Sequence, residues 1–138
     1  MAPTYRIAAE SDAELLLRMM REYYTFDGHP FDESRSRTAL ITLLRDPSFG
    51  RAWLVCDNSE PVGYLVLILG YSLEYLGRDA FIDELYLRES HRGRGWGRLT
   101  PQFVEEEAPA LRPMTCLAVS SAFAILTFAA PEVSSFPF

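Results

Sequence analysis

A glycine- and arginine-rich segment at residues 92–97, Arg-Gly-Arg-Gly-Trp-Gly, constrains this chain more than any other feature. It follows an apolar stretch with strand character, Ala80 to Leu87, and precedes a helical pattern that we place at Leu99 to Leu111. Glycine lets a backbone approach a ligand closely, and the first turn of a helix presents N–H groups with partial positive charge. Full charges come from Arg92, Arg94 and Arg98. The segment therefore predicts a cradle for a pyrophosphate group.

The sequence excludes two common phosphate-binding motifs. The P-loop depends on a lysine, and all thirteen basic residues here are arginine. The dinucleotide fingerprint, Gly-x-Gly-x-x-Gly, needs a βαβ unit that opens the chain and an acidic residue about twenty positions later on a strand. This chain does not have that arrangement, so the expected ligand is not a nicotinamide or flavin dinucleotide.

Size and composition predict one cytoplasmic domain with a substantial core. The chain has 138 residues, of which 49% are apolar, and its net charge of −6 argues against binding to nucleic acid or to an anionic membrane. The first residues lack the apolar core of a signal peptide.

Cys56 and Cys116 lie in apolar surroundings and are expected to be free thiols. With His29 and His91 they have no metal-ligand spacing, so no metal site is predicted, and we expect His91 to be exposed.

The apolar periodicity indicates a mixed α/β domain built around one sheet. A first helix is expected to begin at the capping box Ser11 to Glu14, and a second to be capped by Asp32. The expected strands cover residues Thr4 to Ala8, Arg51 to Asp57, Val62 to Tyr71, Ala80 to Leu87 and Met114 to Val119.

At these residues the chain resembles a known family. The Arg-x-x-Gly-x-Gly pattern of Arg92, Gly95 and Gly97 resembles the acetyl-coenzyme A signature of the GNAT superfamily of N-acetyltransferases, and Asp83 to Arg88 is similar to that family's fourth strand. The resemblance extends from Tyr5 to about Ala108. It implies a GNAT-like acyl-CoA N-acyltransferase fold, an α/β domain whose central, mostly antiparallel sheet is flanked by helices. Residues 69–79 are also similar in layout to polyamine (diamine) acetyltransferases.

The resemblance implies acetyl-CoA as the co-substrate and points to the residues that would hold it. Backbone groups of Leu85, Tyr86 and Leu87 would pair with the pantetheine arm like an added strand, and the N–H near Leu85 would polarise the thioester carbonyl. The pyrophosphate would be held by the loop and the start of the following helix, that is by Arg92, Gly93, Arg94, Gly95, Trp96, Gly97 and Arg98.

Transfer of an acetyl group to an amine needs the amine in its neutral form, and two carboxylates are candidates for the general base. Asp83 and Glu84 are adjacent on the predicted strand, so we expect them to point to opposite faces. Glu84 lies next to the segment expected to hold the thioester, whereas Asp83 occupies the position that resembles the carboxylate of the polyamine branch. A water chain without a side-chain base is the third alternative.

The expected substrate is a small cationic molecule whose primary amine is acetylated. Tyr24, Phe26 and Tyr71 are predicted walls of the amine pocket. The alternative function is a coenzyme A-binding protein without turnover, since the part of the chain that would carry the acid catalyst departs from the family pattern.

That departure lies in the last third of the chain. The family carries there a helix with an asparagine and a tyrosine that protonates the leaving thiolate, but here no asparagine follows Asn58 and no tyrosine follows Tyr86. We therefore expect an acetyltransferase-like domain over residues 1–121 and an apolar tail over 122–138, a truncated or altered ending. The tail is expected to fold back as a replacement strand or, preferably, to pack on a second subunit in a homodimer.

Overall fold

The computed structural model describes residues 2–73, 77–107, 115–120 and 123–129. Its strands are β1 (Thr4–Ile7), β2 (Gly50–Asp57), β3 (Glu60–Ser72), β4 (Gly77–Leu87), β5 (Thr115–Ser120) and β6 (Phe123–Ala129). Its α-helices are α1 (Ala13–Phe26), α2 (Glu33–Arg45) and α3 (Trp96–Glu107), and two short 3-10 turns lie at Glu10–Asp12 and Glu89–His91.

The strands form one sheet in the order β1-β2-β3-β4-β5-β6. Strands β1 to β4 pair antiparallel with one another, β5 is parallel to β4, and β6 is antiparallel to β5. Short connections join β2 to β3 and β3 to β4, whereas α1 and α2 lie between β1 and β2, and the parallel pair needs the crossover that contains α3. The predicted fold class, a mixed α/β domain with a mostly antiparallel sheet flanked by helices, is confirmed.

The two faces of the sheet are covered by different helices because strand residues alternate in direction. On one face, residues such as Leu54 and Tyr64 pack with Leu16 and Met19 of α1 and with Leu40 of α2. On the other face, a second cluster packs against Val104 of α3 and consists of Trp53, Leu65, Leu67, Ala80 and Ile82.

The first two helices are each preceded by an aspartate, Asp12 before α1 and Asp32 before α2. The predicted helix start is confirmed, because α1 begins at Ala13, but Ser11 is not its cap. The N-cap residue Asp12 makes no side-chain cap bond to α1, and its carboxylate instead accepts the N–H of Ala9 at 2.8 Å in the preceding 3-10 turn. The same carboxylate pairs with the guanidinium of Arg6. The predicted cap of α2 is confirmed, since Asp32 Oδ1 accepts the N–H of Arg35 at 3.1 Å.

The third helix begins three residues earlier than the sequence pattern predicts. Trp96, Thr100 and Val104 recur every fourth residue and are all buried, so the last residues of the glycine-rich segment already belong to the helix. The predicted end at Leu111 lies outside the described residues.

Residues Phe123–Ala129 of the expected tail form β6 against β5. This pairing corresponds to the replacement strand, the first of the two expected arrangements. The homodimer and the boundary between residues 121 and 122 stay predictions. In the described part of the chain, no helix combines the length and the apolar character that crossing a bilayer requires.

Candidate functional site

Strand β4 carries a β-bulge at Asp83. Val66 and Leu67 are consecutive on β3, but their partners on β4 are Glu84 and Ile82. Asp83 is therefore the extra residue between two regular stretches of pairing. Bulges redirect side chains and often lie beside functional sites.

The bulge resets the alternation of side chains along β4. Ile82 and Leu85 are three residues apart, yet both pack on the α3 side of the sheet. Glu84 bonds to Tyr64, and Tyr86 packs with Tyr64 in the core cluster under α1 and α2. Side-chain alternation along β4 is therefore interrupted between Ile82 and Glu84, where Asp83 is the extra residue.

The same region of β4 has a strand neighbour on one side. Strand β5 pairs with β4 over Asp79 to Ile82, and within the described residues the segment from 84 to 87 pairs with β3 alone. Backbone groups on the other edge of this segment are therefore not used in the sheet. Among the predicted cofactor residues, Leu85 and Leu87 direct their backbone groups to this edge, whereas those of Tyr86 face β3.

The carboxylate of Glu84 is held by two phenols. Tyr64 on β3 donates to Oε1 at 2.6 Å, and Tyr24 on α1 donates to Oε2 at 3.1 Å. Desolvation raises the pKa of Glu84, the nearby charge of Asp83 raises it further, and the two hydrogen bonds oppose this shift. Glu84 is thus a fixed carboxylate with a stronger affinity for a proton than an ordinary glutamate.

The two tyrosines remain neutral beside this carboxylate. Burial, followed by the charge of Glu84, raises the pKa of Tyr24 to about 12. The same two causes raise the pKa of the fully buried Tyr64. Asp83 is exposed, and partial desolvation raises its pKa as well. A donor-lined carboxylate and a second acidic group therefore lie side by side at the bulge.

The predicted wall residues lie in different parts of this region. Tyr24 lies at Glu84, as a wall residue would. Phe26 is 69% exposed and lies against the guanidinium of Arg92 at 4.2 Å, beside the glycine-rich loop. Tyr71 is 72% exposed and lies five residues beyond the β3 partner of Glu84, about 17 Å along the strand.

Arg92 braces the end of β4. Its Nε donates to the carbonyl of Leu87 at 2.8 Å, and its guanidinium lies over the rings of Phe26 and Tyr86, at 4.2 and 5.5 Å from their centroids. The phenol of Tyr86 donates to Glu22, which also pairs with Arg88. The end of the cofactor strand is therefore tied to α1 through aromatic and charged contacts.

The glycine-rich loop has the shape expected of an anion cradle. Gly93 and Gly95 have left-handed backbones, with φ of 75° and 81°. A Cβ built on Gly93, Gly95 or Gly97 meets no atom within 4 Å, so the space beside this backbone is open. The N–H groups of Arg98 and Leu99 bond to the carbonyl of Gly95, which starts α3. The residues therefore fit a pyrophosphate at a helix N-terminus.

Sequence reasoning missed two residues of this region. Tyr64 was expected only as part of a strand, although a phenol inside an apolar run needs a buried partner. The expectation that His91 is exposed is wrong: its side chain is 13% exposed and lies 2.9 Å from Asp57 Oδ2. Within the described residues, no group of three or more His, Cys, Asp or Glu side chains could hold a metal ion.

Known structures share this fold over most of the chain. An integron cassette protein from the mobile metagenome of Cole Harbour Salt Marsh is 32% identical, with a TM-score of 0.77 over 95% of this chain and 93% of that one. A predicted acetyltransferase from Clostridium acetobutylicum, solved with acetyl-CoA, is 16% identical, with a TM-score of 0.72 over 85% and 80% of the two chains.

A third structure is the ribosomal-protein-alanine N-acetyltransferase from Brucella melitensis. It is 15% identical, with a TM-score of 0.66 over 86% of this chain and 80% of that one. No curated protein matches the chain. The model of the Acetyltransferase (GNAT) family matches residues 14–122, a range that contains the bulge, the free edge of β4 and the glycine-rich loop. The chain belongs to the GNAT family of acetyltransferases.

Proposed function

We propose that the protein transfers an acetyl group from acetyl-CoA to a primary amine of a small cationic substrate, with Glu84 as the general base. The observation that carries this proposal is the carboxylate of Glu84, held by Tyr24 and Tyr64 on the β4 segment that β5 leaves unpaired. A base at this point lies beside the backbone expected to hold the reacting group.

The chain's own backbone provides the binding site for the co-substrate. Acetyl-CoA supplies an activated acetyl thioester when bound. The segment of Leu85, Tyr86 and Leu87 binds the pantetheine arm through the outward backbone groups of Leu85 and Leu87, and the N–H near Leu85 acts as a single oxyanion donor, typically worth about 3 kcal/mol. The open backbone from Gly93 to Arg98 binds the pyrophosphate at the start of α3.

Glu84 accepts the proton that the protonated amine must lose. Its raised pKa brings the base closer to neutral pH, where proton transfer is most effective. Tyr64 is fully buried, whereas Tyr24 is half-buried on α1. Oε2, which bonds to Tyr24, is therefore the oxygen that we assign as the proton acceptor. The two phenols keep the carboxylate oriented while it is charged.

The preference for a cationic substrate follows from the charges at the bulge. Asp83 and Glu84 are adjacent acidic groups, and the chain as a whole carries a net charge of −6. Acidic groups at a partly desolvated site raise the local concentration of cations. The ring of Tyr24 offers an additional attractive surface for an ammonium group.

The proposal is tested by the release of free thiol from acetyl-CoA in the presence of an amine panel. We expect thiol release with a primary amine, and competitive inhibition without release by the quaternary ammonium compound of the same length. The acetylated amine should appear by mass spectrometry in equal amount. Binding of coenzyme A without amine-dependent release would instead support the alternative, a coenzyme A-binding protein without turnover.

A further inference from the structure

We propose that His91 is a positioning residue that fixes the glycine-rich loop for the pyrophosphate of coenzyme A. The inference rests on the proposed function, because it assumes that the loop binds this group. His91 lies directly before Arg92, in the 3-10 turn Glu89–His91 that leads from β4 into the loop. No chemical role in acetyl transfer is assigned to its imidazole.

The imidazole is held from both ring nitrogens. Nε2 lies 2.9 Å from Oδ2 of Asp57, and Nδ1 lies 2.7 Å from Oγ of Ser90. Since an ionised carboxylate only accepts, Nε2 carries a hydrogen in this contact. The two bonds fix the ring plane, and the side chain is largely removed from solvent.

Asp57 is a rigid anchor because it ends a buried strand. It is the last residue of β2 and is followed by the tight turn of Asn58 and Ser59, whose φ angles are 47° and 72°. Val55 of β2 and Val62 of β3 are fully or almost fully buried beside this turn. The β2–β3 hairpin thus holds one end of the contact in place.

The imidazole ring also contacts the residue at the other end of the loop. The imidazole of His91 lies 5.2 Å from the ring of Trp96, which is the first residue of α3. Trp96 is 2% exposed and packs with Val55 and Val62. His91 and Trp96 flank the loop residues 92–95, so their contact sets the distance between the two ends of the loop.

Within the loop, Arg92 is held by the carbonyl of Leu87 and the carbonyl of Gly95 accepts the first N–H groups of α3, but the glycines have no side chains to add further contacts. Gly93 and Gly95 adopt left-handed conformations and have no atom within 4 Å of a Cβ position. Glycine loses much conformational freedom when it is ordered, so a loop with free ends would bind an anion at a larger entropic cost. The ends held by His91 and Trp96 pre-organise the loop.

The test compares His91→Ala with His29→Gln, a substitution of the other histidine, which is exposed on a loop near Asp27. Titration calorimetry with coenzyme A should show about tenfold weaker binding for His91→Ala, as expected for the loss of a hydrogen bond to a charged group, and no change for His29→Gln. His91→Gln keeps a donor for Asp57 and should restore most of the affinity.

Kinetics separate positioning from general damage to the fold. We expect His91→Ala to raise the KM for acetyl-CoA while kcat and the rate with S-acetylpantetheine, which lacks the pyrophosphate, stay near the wild-type values. Unchanged coenzyme A affinity in His91→Ala, or an equal loss with S-acetylpantetheine, would overturn the inference. If His91→Ala does not fold, the comparison is made with Asp57→Ala, which should weaken coenzyme A binding. Asp57→Asn, which retains an acceptor oxygen, and His91→Gln should keep most of the affinity. A wild-type protein that does not bind coenzyme A would overturn the proposed function itself.

Discussion

The phenol of Tyr64 on β3 donates a 2.6 Å hydrogen bond to Oε1 of Glu84 on β4. This contact depends on the bulge at Asp83, which places Glu84 opposite Val66, two residues from Tyr64 on the same strand. Tyr64 is fully buried, so its hydroxyl has no access to bulk water as a substitute partner. The orientation of the proposed base is therefore built into the pairing of two strands.

Replacing Tyr64 with phenylalanine is expected to make Glu84 harder to deprotonate. The hydrogen bond from Tyr64 lowers the pKa of Glu84 and desolvation raises it, so removing the hydroxyl moves the pKa upward. The acidic limb of the kcat–pH profile should then shift to higher pH. The matched control is Tyr5→Phe, which loses a hydroxyl bond to Thr100 on the α3 side of the sheet. A shift of the same size in both variants would contradict this role of Tyr64.

Gly95→Ala is expected to abolish coenzyme A binding while the protein stays folded. A side chain at this position strains a backbone with φ of 81° and occupies the open space of the cradle. Gly28→Ala is the control, because Gly28 has a φ of 74° and equally open surroundings outside the loop. Calorimetric titration and a thermal melt measure both effects. If the two variants bind coenzyme A equally well, the loop is not the pyrophosphate site.

Arg92→Lys is expected to weaken coenzyme A binding about tenfold. A lysine keeps the charge but loses the planar contact with Phe26 at 4.2 Å and the Nε bond to the carbonyl of Leu87, so the end of β4 is no longer braced. Arg94 is exposed, and Arg94→Lys should have little effect. Equal dissociation constants for the two lysine variants would show that charge alone matters at position 92.

Deleting the residues after Ser121 is expected to expose the edge of β5. The deletion removes β6, which pairs with β5 from Thr115↔Ala129 to Ser120↔Phe123. An open edge invites pairing with other chains, so we expect a lower Tm and either a monomer or an aggregating protein, compared with a full-length homodimer. Light scattering coupled to size exclusion measures the mass. A well-behaved monomer before and after the deletion would contradict both roles of the tail.

The sequence predicted the parts of this fold that local patterns determine. Apolar periodicity indicated the strands and helices, and the Asp32 cap and the glycine-rich turn were readable because each depends on a few neighbouring residues. The bulge at Asp83 was not predictable in this way, because it arises from the register between β3 and β4. Because the bulge could not be predicted, the hydrogen bond between Tyr64 and Glu84 could not be inferred either.

Long-range side-chain contacts explain the remaining differences. His91 was expected in solvent because it stands beside a glycine loop, but its partner Asp57 is 34 residues away in the sequence. Phe26 was expected beside the amine, and its contact with Arg92 likewise depends on how α1 ends near the loop. Such pairings follow from the packing of complete elements and leave no signal in a single sequence.

The dependence of kcat on pH in the wild-type protein and in Glu84→Gln tests the central claim most directly. With acetyl-CoA and a primary amine saturating, the wild-type rate should fall as pH decreases through the raised pKa of Glu84, because protonation removes the base. Glu84→Gln should lower kcat by about 10²- to 10⁴-fold without that limb, while coenzyme A affinity stays unchanged and Asp83→Asn has a smaller effect. A Glu84→Gln variant that retains the wild-type rate and pH profile would contradict the assignment of Glu84 as the general base.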